Sequence, residues 1–375
     1  MNKKDTEISQ TTDTACKPHP SVSALLSWYE RNKRDLPWRR DPSPYSVWIS
    51  EIMLQQTRTE AAKGYYLRFL QRLPDVRSLA EADEDTCLKL WEGLGYYSRI
   101  RNMHKAAAVI EAQFHGKIPD DEKNLLSLPG IGNYTASAIL SIAYGKPYPA
   151  VDGNLLRVFS RVTREEREID RIPVKKDCFR YFQSLMEELP ENVSPGTFNQ
   201  ALMDLGAMIC LGGGEPKCGE CPWKDFCSAH EAGLETLYPK KKEKKKRRTE
   251  EKTVLLIHFQ ESILLDRRPE TGLLADLFEF PNLPGKISRK EAVKYAEGKG
   301  FHILKILPLP AAKHIFSHVE WHMQGFELFA DEWNEFEVRK PEGQKLFLAK
   351  PEELESVWAI PSAFDVYRNH ILKKK

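Results

Sequence analysis

The chain divides into a mainly α N-terminal region and a C-terminal α+β domain, and three observations predict this. Through residue 234 apolar side chains recur every three or four positions, as in Leu25, Leu26, Trp28 and Tyr29, whereas from Thr253 the period becomes two, beginning with Val254–His258. Between them Glu235–Glu251 is poor in apolar residues and includes Lys240–Arg248, where eight basic residues meet Glu243 alone, a composition suited to a flexible basic linker. Four of the seven cysteines crowd into Cys210–Cys227, which in a reducing compartment argues for metal or cluster ligation over disulfides. With 375 residues, 41% of them apolar, the chain suits two or three domains with real cores. No apolar run reaches the length of a membrane span and the polar N-terminus lacks a signal-peptide core, so an intracellular, membrane-free protein is expected.

Residues 1–18 are polar and patternless and read as a disordered tail; Cys16, Cys87 and Cys178 read as plain thiols. Val22–Arg34 suits an amphipathic helix. It leads into Arg34-Asp35-Leu36-Pro37-Trp38-Arg39, which by composition is a connector with a buried tryptophan. Ser43 is placed as N-cap and Pro44 at the first position of a longer helix, on which Val47, Trp48, Glu51 and Ile52 share one face. A carboxylate in such company is either buried, with the raised pKa of a general acid, or reaches out to a surface arginine. Apolar periodicity continues over Tyr65–Leu73, and Pro74–Ala82 suits a turn and a short helix. In Leu90–Arg101, Gly93 and Gly95 flank Leu94 and precede Tyr96 and Tyr97, with Arg99, Arg101, His104 and Lys105 next. This suits a loop that approaches nucleic acid and a helix that grips phosphate, or, more soberly, a tyrosine in the core.

Asp120, Asp121 and Glu122 suit the first turn of a short helix carrying Leu125, Leu126 and Leu128, which Pro129 ends. Gly130 and Gly132 permit backbone angles closed to other residues, so Leu128–Gly132 can be a hairpin whose bare amides form a phosphate-binding corner. A second helix follows with Ala136, Ile139, Leu140 and Ala143 and stops at Gly145; Asp152, Gly153 and Asn154 open another. Read alone, this is also a hairpin that merely packs, with Asp152 as its next N-cap. Residues 155–209 read as helices broken at Pro173 and Pro190, with Gln200 offering a donor and an acceptor. Gaps of seven, two and five residues separate Cys210, Cys218, Cys221 and Cys227, a set suited to a 4Fe-4S cluster, with zinc as runner-up. Beyond the linker, Val254–His258, Ile263–Arg268 and Ile315–Leu328 read as strands and Arg289–Lys299 as a helix. His314, His318 and His322 recur every fourth residue; on one strand they would span about 13 Å, too far to share a metal.

The string Leu125–Val158 resembles the helix-hairpin-helix of the base-excision DNA glycosylases related to endonuclease III, including an aspartate, here Asp152, which those enzymes place at the scissile sugar. Their bifunctional members carry a lysine two residues after the second hairpin glycine, where its amine forms a Schiff base. Tyr134 stands there, so the resemblance implies base removal without a lysine-driven strand cut. Trp48–Thr57 resembles the catalytic helix of the adenine DNA glycosylase (MutY) family, and the C-terminal part, with Leu273–Pro281, resembles that family's Nudix-like domain. Only Glu291 and Glu297 stand where a Nudix hydrolase has a glutamate-dense helix, so hydrolase activity is not expected.

What this resemblance implies is specific. The fold is a helix-hairpin-helix glycosylase region at 19–234 (hairpin 122–145, iron-sulfur loop 210–227), a basic linker at 235–251 and a Nudix-like recognition domain at 252–368. Glu51 protonates the adenine and Asp152 stabilises the sugar cation, with Tyr134 and Asn154 positioning them. Arg34, Leu36, Trp38 and Arg39 wall the base pocket; Gln56, beside Thr57, wedges into the duplex; Tyr96, next to Leu94, intercalates. Gly130 and Gly132 meet phosphate, Gln200 reads the extruded adenine, and Phe316-Ser317-His318 recognises 8-oxoguanine. Cys210, Cys218, Cys221 and Cys227 hold a structural 4Fe-4S cluster whose loop offers Lys217 and Lys224 to DNA, although the first gap is one residue longer than in the related glycosylases. The implied partner is double-stranded DNA with adenine opposite 8-oxoguanine or guanine, met by a monomer in the cytoplasm, at the nucleoid if bacterial. The other two classes that fit are an endonuclease III-like glycosylase and lyase and a non-catalytic lesion binder.

Overall fold

The computed structural model describes residues 20–242, 246–334 and 346–373; the expected tail at 1–18 with Cys16, and the centre of the lysine run, lie outside the described residues. Residues up to Glu51, Pro119–Ser127 and Ile131–Lys242 form one compact unit; Ile52–Ile118, Leu128–Gly130 and Glu243–Lys375 form a second. The helices are α1 (Pro20–Asn32), α2 (Pro37–Arg40), α3 (Pro44–Leu54), α4 (Thr59–Arg72), α5 (Val76–Glu81), α6 (Glu84–Leu90), α7 (Ser98–Phe114), α8 (Glu122–Ser127), α9 (Asn133–Ala138), α10 (Gly153–Thr163), α11 (Ile172–Glu187), α12 (Pro195–Asp204) and α13 (Ser228–Glu231). No helix among the described residues is long and apolar enough to cross a membrane.

In the first unit the helical stripes converge. Val22, Leu25 and Trp28 of α1 meet Leu155 and Phe159 of α10, Phe182 of α11 and Phe198 and Leu202 of α12, with Trp223 stacked on Phe182 at 6.3 Å. Local chemistry sets the starts. The Ser43 hydroxyl accepts from Ser46 N at α3, and Ser194 accepts from Thr197 N at α12, each followed by proline at the first helical position. Two wider π turns, Ile139–Ala143 and Leu205–Ile209, continue α9 and α12. The first packs at the glycine of α12: a Cβ on Gly196 would meet Ile142 Cα at 2.6 Å.

The second unit adds a seven-stranded sheet to α4–α7. Its elements are β1 (Arg248–Phe259), β2 (Ser262–Arg267), β3 (Phe278–Glu279), β4 (Asn282–Pro284), α14 (Arg289–Glu297), β5 (Phe301–Ile315), β6 (Val319–Trp333), β7 (Leu346–Ala349), α15 (Glu353–Ser356) and α16 (Asp365–Leu372). The order is β3-β2-β1-β6-β5, with β4 on β1 and β7 on β2. Because β1 is buried on both faces, it reads as an unbroken apolar run: Val254 and Leu256 pack with Tyr367 and Ile371 of α16, Leu255 and Ile257 with Ala292 and Ala296 of α14. Within this unit Arg101 donates to Ala275 O at 2.8 Å, Lys89 to Trp358 O at 3.0 Å, and Arg368 pairs with Glu92 at 2.5 Å. The helices α6 and α7 are therefore tied to the sheet domain.

Three expectations need correction. The segment 235–251 is not linker throughout: Tyr238 is buried, Lys240 O accepts from Ile169 N, and Arg248–Glu251 already pair in parallel with Val319–His322. Charged side chains hid these pairs, because a strand edge needs only main-chain groups. The run Ile315–Leu328 is not one strand, since Phe316–His318 forms the turn between β5 and β6, with Phe316 N donating to Val319 O at 2.8 Å. His314 and His322 thus sit on opposite arms of a hairpin, and the single-strand span does not apply; His322 bonds Glu320 and His314 packs on Phe316. Finally, β5 lay unrecognised behind Pro308 and Pro310, which an edge strand tolerates, and its register shifts between Leu309 and Ala312.

Candidate active site

Glu51 lies on the apolar face of α3 beside the buried Val47, Trp48 and Ile52 and is 4% exposed. Burial lifts its pKa from the usual 4.5 to about 7; the Tyr134 hydroxyl and Arg39 oppose the rise and the Asp152 charge adds to it. Tyr134 O–H donates to Glu51 Oε2 at 2.5 Å. The phenol's own pKa is pushed well up, by burial first and then by the two carboxylates. A pKa near 7 makes Glu51 a carboxyl that keeps or yields a proton near neutrality.

Asp152 performs the capping role that the residues alone left open. Its Oδ1 accepts from Asn154 N at 2.9 Å and Leu155 N at 2.8 Å, and Oδ2 accepts from Asn154 Nδ2 at 2.8 Å. Burial raises its pKa against these bonds and the Arg157 charge, and its field reaches Glu51. Asn154 is held in turn. Arg157 donates to Asn154 Oδ1 at 2.8 Å, Gly206 O at 2.7 Å and Cys210 O at 2.7 Å. A hydrogen-bonded chain therefore runs from the cysteine loop to Asp152.

The connector after α1 folds inward. Leu36 and Trp38 are buried, and Arg34 and Arg39 converge on Asp204, whose side chain is fully buried: Arg34 Nε to Oδ1 at 2.7 Å, Arg39 Nη1 to Oδ2 at 2.8 Å, Arg39 Nη2 to Oδ1 at 2.9 Å. Two guanidiniums on one carboxylate offset the cost of burying it. Beside them the Tyr29 hydroxyl donates to Gln200 Oε1 at 2.8 Å, fixing the amide that was expected to read a purine.

Cys210, Cys218, Cys221 and Cys227 line one cavity with Arg161 and Trp223. Arg161 Nη1 donates to Cys210 Sγ at 3.1 Å and Trp223 N to Cys221 Sγ at 3.4 Å, donors of the kind that tune cluster sulfurs. The four thiols are compatible with a 4Fe-4S cluster, and in the first gap Gly213 and Gly214 face open space. A second donor set, Cys218 with His230 and Glu235 within 4.8 Å of one another, shares Cys218 with it. Lys217 and Lys224 are exposed on the same loop.

The hairpin has Gly130 at φ +78°, and a Cβ there would meet Asn102 Cβ at 2.7 Å, so glycine is required twice over. Gly132 corrects the expectation: its φ is −99°, open to any residue, and a Cβ there would meet nothing. It caps α9 instead. In the second unit Gln56 (φ +65°) and Tyr96 (φ +48°) are exposed in left-handed turns, Thr57 is half-buried, and Leu94 and Tyr97 are buried. Arg99 and Arg101 are not free to grip phosphate. Arg99 is 9% exposed and bonded to main-chain carbonyls, and Arg101 is spent on Ala275 O. Phe316 packs edge-on against Trp321 at 4.8 Å, leaving Ser317 and His318 exposed on a cavity of about 590 Å³ that Leu94, Tyr96, Leu273 and Leu274 also line.

Four contributors were missed from sequence. Asp204 showed the same sign as Glu51, a carboxylate inside an apolar helix; Arg157 stands three residues after Asn154, one turn along α10. Tyr29 and Arg161 carried no local sign.

A mainly helical unit with a buried acid beside a capping aspartate, joined in sequence to a sheet domain, defines a class: residues 49–184 match the HhH-GPD superfamily of base excision DNA repair proteins and residues 253–368 the NUDIX domain. The adenine DNA glycosylase of Buchnera aphidicola subsp. Acyrthosiphon pisum is 35% identical over 300 residues, covering 80% of this chain and 83% of that protein. That of Rattus norvegicus is 31% identical over 404 residues, covering 92% and 77%. Among solved structures, a thermostable thymine-DNA glycosylase is 29% identical with a TM-score of 0.51, covering 56% of this chain and 95% of that one. The chain belongs to the adenine DNA glycosylase family.

Proposed function

We propose that the chain hydrolyses the N-glycosidic bond of adenine paired with 8-oxoguanine or guanine in duplex DNA, with Glu51 as acid and Asp152 as the partner of the sugar cation. It is an adenine-specific DNA glycosylase of base excision repair. The observation that carries the residue roles is the buried Glu51 carboxyl, held near neutral pKa, bonded to Tyr134 and within the field of Asp152. The adenine leaves the base stack. Glu51 gives its proton to N7, the base departs, and charge develops on the sugar as an oxocarbenium. The Asp152 carboxylate stabilises that charge, as a fixed anion does in glycosidases. Water completes hydrolysis and leaves an abasic site. Tyr134 steadies Glu51, Asn154 steadies Asp152, and a phenol in place of lysine forms no imine.

In this reading Arg39, Leu36, Trp38 and Gln200 shape the base pocket, with Arg34 bracing Asp204; Gln56 with Thr57, and Tyr96 with Leu94, enter the duplex; the hairpin at Gly130 and Gly132 meets phosphate. Phe316, Ser317 and His318 read 8-oxoguanine. Cys210, Cys218, Cys221 and Cys227 would hold a structural 4Fe-4S cluster, which supplies a cross-link to a loop that has little core of its own. The enzyme acts as a monomer in the cytoplasm, at the nucleoid in a bacterium. Adenine release from duplexes pairing adenine with guanine or 8-oxoguanine tests the reading, alongside a chain with Phe316–His318 replaced by alanines. Preference for 8-oxoguanine should fall in that variant. Unchanged preference removes the recognition role, a borohydride-trapped adduct would mean a lyase, and binding without release would mean a lesion binder.

A further inference from the structure

Arg99 is a buried cation that the proposed reaction leaves unused. No carboxylate pairs with it among the described residues, and burial holds its pKa down at about 10, still protonated at neutrality. Its guanidinium donates instead to five main-chain carbonyls: Ile52 at 2.8 Å, Met53 at 3.2 Å, Leu94 and Gly95 at 3.0 Å each, and Gln55. Two of these, Ile52 and Met53, belong to the last turn of α3, whose carbonyls have no partner within the helix, and Gln55 follows directly after it. The side chain lies 5.1 Å from the Trp91 ring and 5.8 Å from that of Tyr96.

Two of the five carbonyls share a further property. The Gln55 carbonyl belongs to the peptide preceding Gln56, and the Gly95 carbonyl to the peptide preceding Tyr96. Those two residues adopt left-handed backbones, costly for any side chain other than glycine. Both are exposed, Tyr96 by 51%, so packing of their side chains does not hold them there. A donor fixed on the preceding carbonyl stops that peptide plane from rotating, which is how such a turn relaxes. Trp91 Nε1 adds a second donor to Gly95 O at 3.1 Å.

We infer that Arg99 is a positioning residue that presents Gln56 and Tyr96 as a preformed pair for entry into stacked duplex DNA. This rests on the proposed reading of those two residues as the ones that enter the duplex. Ordering the pair before binding removes that entropy cost from the extrusion step.

A mutant cycle on the full chain tests it. Extrusion is followed by 2-aminopurine fluorescence beside a cleavage-resistant 2′-fluoro adenosine opposite 8-oxoguanine. Arg99→Lys, whose ammonium offers fewer and unforked donors, should lower the extruded fraction about tenfold while affinity for undamaged duplex stays within about twofold. Gln56→Ala and Tyr96→Ala should each lower extrusion, and adding Arg99→Lys to the double alanine variant should cost nothing more. Wild-type extrusion in Arg99→Lys, or fully additive losses, overturns the inference. Unchanged extrusion in both alanine variants overturns the reading beneath it, recognisably, because Arg99 is intact there. Should Arg99→Lys not fold, Trp91→Phe removes one donor from Gly95 O and should cost about threefold, a loss absent in the Tyr96→Ala background and, if present there, equally fatal.

Discussion

Replacing Glu51 by glutamine should stop catalysis and stabilise the fold, in a pH window that the buried carboxyl defines. Glutamine keeps an oxygen for the Tyr134 hydroxyl, but its amide N–H groups are not acidic enough to transfer a proton. Below pH 4.5 wild-type Glu51 is protonated in both folded and unfolded chains, and no penalty exists. Between 4.5 and about 7 the unfolded chain ionises while the folded chain holds its proton, so wild-type stability falls as pH rises. Above about 7 the fold carries the whole penalty, about 3 kcal/mol at about 1.4 kcal/mol per pKa unit. Unfolding compared at about pH 4.5 and about pH 8.5 should therefore show Glu51→Gln gaining nothing at the lower value and about 3 kcal/mol at the higher, roughly 6–12 °C in Tm. Single-turnover excision should fall by about 10²–10⁴, the range that a positioned acid contributes. A stability difference that does not change with pH would refute the buried acid, and retained excision would refute its role.

Other expectations follow from the same geometry. Asp152→Asn keeps an oxygen for the Asn154 and Leu155 amides, so folding should lose no more than about 1 kcal/mol while excision falls by about 10² or more; a normal rate would leave Asp152 a cap alone. The pH–rate profile should be bell-shaped, failing on the alkaline side as Glu51 loses its proton near 7 and on the acid side as Asp152 gains one; a profile flat through 7 would contradict the assignment. Asp204→Ala strands two guanidiniums and should cost about 3–5 kcal/mol in denaturant unfolding, whereas a loss under about 1 kcal/mol would mean that solvent already shares the pair. Cys227→Ser should lower iron content and the visible absorbance of purified protein; full iron retention would remove that thiol from the ligand set.

Much of this architecture is legible in the residues, for definite reasons. Ser43-Pro44 and the apolar neighbours of Glu51 are local signals, and a helix converts local spacing directly into a face. Gly130 announced its turn because the needed φ belongs to glycine, yet the same argument misjudged Gly132, whose place at a helix start requires no special angle. Nothing local marks a partner far along the chain: Asp204 meets Arg34 across 170 residues, and Arg101, which reads as a phosphate ligand, donates its guanidinium N–H groups to Ala275 O instead. Pairing in β1 was missed at Arg248–Glu251 because exposed charged residues reveal main-chain ladders poorly, and β5 because two prolines argue against a strand unless it is known to lie at an edge.

The π turn at Leu205–Ile209 has one more consequence. Such a turn is a helix that has swallowed one residue without looping it out. Because a π turn closes five residues along where an α turn closes four, deleting one residue from it would return α12 to ordinary winding and leave Cys210 at nearly its present bearing on the axis. Gly213 and Gly214 just downstream face open space, so the segment around Cys210 should tolerate one residue fewer before that thiol and one more after it.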